Sequence, residues 1–190
     1  LQGKRKIMKT KIFCIIIYIL SLICNITPLS ICADSETDEL INDILSFKMN
    51  EAGADSVQSL IDGKFTSDAG VNSEWYIFAL SRDKAEYNYS AYENALINYV
   101  NEKNISSAST RLKYALVLAS IGSENEYISS VMDNSIGKQG IMSYIFGLHL
   151  LNNGYSSNVT DLNEVKSKII SMQLSDGGWA ITGNKGDVDV

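Results

Sequence analysis

Gln173-Leu174-Ser175-Asp176-Gly177-Gly178-Trp179, with Asp187-Val188-Asp189-Val190 close behind it, sets the reading of this 190-residue chain. An apolar helical run over residues 165–172 leads into it. Two glycines then allow backbone angles that a side chain would forbid. The Trp that follows is large enough to fix the turn against neighbouring helices and has one N–H to donate. This order of features, helix, glycine pair, indole, predicts a helix end that serves as a clamp.

Upstream, the chain continues in helices. Among residues 34–190 there is no proline, and few runs alternate with the period of a strand, so the spacing predicts an all-α domain. Thr37 and Asp38 suit a helix cap ahead of Leu40, Ile41, Ile44, Leu45 and Met49 on one face. A short helix is expected over 56–61, ending at Asp62-Gly63. Ser73 is expected to cap the next helix. Asp161 is expected to cap another, with Glu164 completing a capping box. Helices that are apolar on most faces (73–82, 109–121, 140–151) alternate with amphipathic ones (89–102, 126–132, 161–172). The apolar set begins about every 30 to 40 residues, the period of stacked helix pairs. In such a pair one helix is buried and the other faces solvent. Asp187 would open the next apolar helix, and an array of pairs does not close on half a pair. We therefore expect residues 34–190 to be a partial domain, incomplete at its C-terminus.

The N-terminus reads differently. Basic residues around Met8-Lys9-Thr10-Lys11 precede an almost unbroken apolar run over 12–26, then Pro28 and a small-residue exit at Ala33. That is the layout of a secretory signal peptide, with cleavage expected after Ala33. The run is shorter than the roughly 20 residues of a membrane span. A lipoprotein-like Leu29-Ser30-Ile31-Cys32 has Ile31 where a small residue would be needed. Residues 1–7 precede the start Met and are read as untranslated. Without residues 1–33 all three cysteines and the only proline are gone. Five of the 16 basic residues go and none of the 22 acidic ones, leaving 11 against 22 and a net charge of −11. That balance argues against nucleic acid and anionic membrane surfaces as partners. It also leaves no thiolate for a disulfide, a metal or catalysis. A cysteine-free exported chain fits a bacterium.

Gln-x-x-Asp-Gly-Gly-Trp resembles the Gln–Trp repeat of squalene–hopene cyclases. In that family the Gln and Trp tie an outer helix to the next inner helix of an α/α toroid. Residues 70–190 also resemble exported bacterial proteins with prenyltransferase and squalene-oxidase repeats. The matching motifs are Gly-Val-x-Ser-Glu-Trp at 70–75, Lys-Gln-Gly-Ile at 138–141 and Gln-Leu-x-Asp-Gly-Gly-Trp-Ala at 173–180. The resemblance implies a truncated α/α toroid of stacked helix pairs, with Gln173, Gly177, Gly178 and Trp179 as its structural motif.

The same resemblance implies two functions. One is a secreted or surface-exposed, non-catalytic module that offers a concave face to a small molecule or protein, as cobalamin carriers do on a similar scaffold. Trp75, Glu74, Tyr144 and Trp179 are its candidate ligand-binding residues. The alternative is a class II terpene cyclase or prenyltransferase-like enzyme. There an Asp-x-Asp-Asp motif supplies a general acid that protonates an alkene or epoxide. Asp187 and Asp189 match its first two aspartates, and Val190 stands where the third would be. The simpler role for that pair is helix capping and first-turn charge. No metal or cofactor is expected: His149 is the only histidine, and no cysteine remains to join it in a zinc site. A membrane is expected to matter only through the signal peptide or a C-terminal anchor lying beyond residue 190.

Overall fold

The computed structural model describes residues 34–83, 85–188 and 190. The expected signal segment and Asp189 lie outside the described residues. The chain divides into two units, residues 1–46 and 47–190. Among the described residues the structure is all-helical, with no strand. No helix among them is long and apolar enough to cross a membrane.

Helix α1, Asp34–Ala52, begins in the first unit and ends in the second. Its apolar stripe is present at the expected spacing, yet Leu40, Ile41 and Ile44 are exposed and Leu45 is buried. Helical spacing reports which residues share a face and is silent about whether anything covers that face.

In the second unit α2, Val57–Leu60, starts with a reciprocal cap. The Ser56 hydroxyl accepts the Ser59 N–H, and the Ser59 hydroxyl accepts the Ser56 N–H. The expected stop at Asp62-Gly63 does not occur. The chain instead widens into a π-helical turn, Ile61–Phe65. Ile61 and Phe65 are both buried, and the Thr66 hydroxyl donates to the Ile61 carbonyl at 2.7 Å. Core demand at two positions overrides the glycine signal. Then follow α3 (Glu74–Leu80), α4 (Ser90–Glu102), α5 (Ala108–Ser120), α6 (Tyr127–Ser135), α7 (Gly140–Asn152) and α8 (Leu162–Ser171).

Two caps differ from expectation. Ser73 has helical backbone angles, and its hydroxyl makes no capping bond. Asp161 does cap α8, accepting from the Asn163 and Glu164 N–H groups. The Glu164 carboxylate takes the Thr160 hydroxyl at 3.0 Å, so the second half of the box is not made.

The three apolar helices touch in succession: α5 packs on α3 and on α7. Of the amphipathic helices, α6 packs on α5 and α8 on α7. Helix α5 supplies the densest part of the core, burying Ala108, Leu112, Tyr114, Ala115, Leu116, Val117 and Leu118. Polar latches stitch this array at sequence separations of 24 to 32 residues. The Gln58 side chain bonds both backbone groups of Asn88, each at 2.9 Å. The Gln139 side-chain oxygen accepts from the Ser107 hydroxyl at 2.8 Å and the Ser109 N–H at 3.0 Å, which caps α5 from a distant loop. Asp133 on α6 accepts the Ser157 hydroxyl and the Asn158 N–H, each at 2.7 Å, and the Asn158 side-chain amide at 2.8 Å.

Candidate functional site

Helix α3 is short, but it positions two of the candidate residues on opposite sides of the core. Glu74 is 2% exposed. One carboxylate oxygen accepts the Gly70 N–H at 2.6 Å, and the other pairs with the Lys113 ammonium at 3.2 Å. The Tyr114 hydroxyl donates to the Gly70 carbonyl at 2.7 Å, so Gly70 is held at both ends. Its φ of +85° and the Tyr99 ring, 2.2 Å from where a Cβ would sit, leave room for nothing but glycine. Glu74 therefore ties α3 to its own entry loop and to α5.

The surroundings of Glu74 are aromatic and dry. Burial, then the Glu74 charge, push the Tyr92 and Tyr114 phenols well above the usual tyrosine range. The Tyr92 and Ser73 hydroxyls are buried, and neither makes a well-aligned hydrogen bond. The Ser73 hydroxyl is still close enough to Tyr92 to offset part of that upward push. Both Glu74 oxygens are engaged within the protein, and those bonds position α3 against its entry loop and α5.

Trp75, the next residue, points the other way and is 51% exposed. Its indole meets the Phe78 ring edge-on at 5.8 Å and the Phe146 ring at 6.1 Å. The Arg82 guanidinium lies 5.2 Å from the Phe78 ring centroid. Two apolar helices, α3 and α7, thus contribute rings to one open aromatic face. Tyr144 on α7 is half-buried, with its phenol ring packed on Gly137.

The turn after α8 closes on itself. The Trp179 indole donates to the Ile169 carbonyl at 2.6 Å, and the Gln173 amide donates to the Gly177 carbonyl at 2.7 Å. Both hydrogen bonds return to α8 or its own turn rather than to another helix. Gly177 has φ +87°, and a Cβ on Gly178 would come within 2.9 Å of the Gly186 α-carbon. Asp176 braces the loop by accepting the Gly178 N–H at 3.0 Å and the Gly186 N–H at 2.7 Å. The Asp187 N–H donates to the Trp179 carbonyl at 2.7 Å, and the Asp187 residue is exposed. The expected helix start at Asp187 is not seen: residues 187 and 188 are non-helical.

Glu74 and Trp75 are neighbours with opposite surroundings, and Asp187 and Trp179 share one loop. Sequence reasoning did not find Lys113, Tyr114 or Tyr99. One signal was available, a lysine in the middle of a helix whose neighbours on both sides are apolar. Among the described residues no group of three or more His, Cys, Asp or Glu side chains is arranged to hold a metal ion, and His149 lies exposed in the last turn of α7. Compared with known proteins, the chain matches no family model, no curated protein and no solved structure.

Proposed function

We propose that this chain is part of an exported bacterial α/α-toroid module of the prenyltransferase/squalene-oxidase repeat type, and that it binds a small molecule or partner protein without catalysis. The observation that carries the reading is the half-exposed Trp75 indole, joined by Phe78 and Phe146 from two apolar helices. A single exposed apolar side chain is ordinary, but an exposed indole backed by two part-exposed rings supports a binding surface. The succession of contacts from α3 to α5 to α7 is what a row of inner helices requires. Export rests on the basic and then apolar N-terminal sequence.

The enzyme alternative, a cyclase-like reaction through Asp187 and Asp189, draws less support. Asp187 is exposed, whereas a strong general acid needs a sheltered site and neighbouring carboxylates. The test is a titration of residues 34–190 with anilinonaphthalene sulfonate, read by energy transfer from tryptophan. Trp75→Ala is expected to abolish most of the signal and Trp179→Phe to preserve it. Equal signals from the two variants would remove the aromatic face from the reading. Turnover of squalene or geranylgeranyl diphosphate that Asp187→Asn abolishes would establish the enzyme instead.

A further inference from the structure

A separate cavity of about 410 Å³ opens where the end of α1, the π-helical turn and the start of α3 meet. Lys48, Glu51, Lys64, Phe65, Asp68, Asn72, Ser73 and Tyr76 line it, and it shares no residue with the aromatic face. Its volume lies toward the small end of the range for small-molecule sites. The π-helical turn carries Lys64 and Phe65 into its wall, and such turns are frequent where a helix has been distorted for a function.

The chemistry of the wall restricts what fits. Two ammonium and two carboxylate groups balance to zero charge. Each is already paired on its own segment, Lys48 with Glu51 at 2.8 Å and Lys64 with Asp68 at 2.9 Å. The pairing leaves no net charge in the wall to attract a ligand of one sign. Each ammonium keeps unused protons and each carboxylate unused lone pairs, which suits a ligand with many hydroxyls. The aromatic surface is occupied: Phe65 stacks on Tyr76 at 5.1 Å with 13° between the planes, and the Lys48 ammonium sits 5.6 Å from the Tyr76 ring centroid. A flat aromatic ligand or a methylated ammonium has no open face to use. Ser73, 1% exposed, adds a buried hydroxyl to the lining that makes no well-aligned hydrogen bond.

We infer that this cavity is a binding site for a small neutral polyhydroxylated ligand, a sugar or polyol. The test is NMR titration of the full chain with D-glucose, D-galactose, N-acetyl-D-glucosamine and glycerol, with glycine and inorganic phosphate as charged comparisons. At least one of the neutral four is expected to shift the amides of Lys64, Asp68, Asn72 and Tyr76. Lys64→Gln, at an exposed position, is expected to weaken that binding about tenfold with the urea midpoint nearly unchanged. Asn72→Ala should weaken it less. Shifts from glycine or phosphate alone, or no shifts at all, would overturn the inference. So would sugar shifts that both variants leave intact. None of these outcomes bears on Trp75.

Discussion

Glu74 and Asp176 make the same kind of bond in opposite settings. Each carboxylate accepts N–H groups from a nearby glycine and so fixes a loop. Glu74 does it in a dry aromatic interior with an ammonium on its second oxygen, while Asp176 does it on an exposed turn. Water competes for every bond Asp176 makes, but hardly for the buried bond between Glu74 and the Gly70 N–H. The loop at Gly70 is thereby wired into the global fold, and the loop at Gly177 is held only to its own helix.

That contrast is broken most severely by Glu74→Ala. It removes the acceptor of the buried Gly70 N–H and the partner of the part-buried Lys113 ammonium, and should cost about 3 kcal/mol in urea unfolding. Gly70→Ala comes next. Its Cβ would collide with the Tyr99 ring and force a positive φ on alanine, for a loss of about 2 to 3 kcal/mol. Gln139→Ala removes the remote cap of α5 and should cost about 1 kcal/mol, read as a lower urea midpoint at unchanged slope.

The smallest effect belongs to Asp176 and concerns pH. The Gly186 and then the Gly178 N–H hold its carboxyl below the ordinary aspartate value of 3.8. A lowered folded-state value means the bond supports the turn above that pH and is lost as pH falls below it, through the folded value. Trp179 emission should therefore move to the red in that acid window, and Asp176→Asn should show the moved emission at neutral pH. A global unfolding transition in the same window would erase the distinction between the two loops.

The helical skeleton was legible because apolar periodicity is a local signal. The predicted 109–121 and 140–151 came out as Ala108–Ser120 and Gly140–Asn152. What stayed hidden depended on partners far away in sequence. Glu74 stands as a candidate ligand-binding residue until Lys113, 39 residues on, is placed against it. The Asp62-Gly63 stop reads correctly by propensity and loses to the burial of Ile61 and Phe65. Trp75 and Phe146 stand 71 positions apart, and nothing in either helix alone says that their rings meet.

The latches 24 to 32 residues long have a consequence for how the chain comes to be folded. Each closes a loop of modest length between segments that emerge from the ribosome close together in time, so the entropy lost at each closure is similar and small. The chain can then be built like a zip, with every new tooth seated on the one before. Force measurements on stalled nascent chains would record that as a series of separate pulls, about one per helix pair, where a single late collapse would give only one.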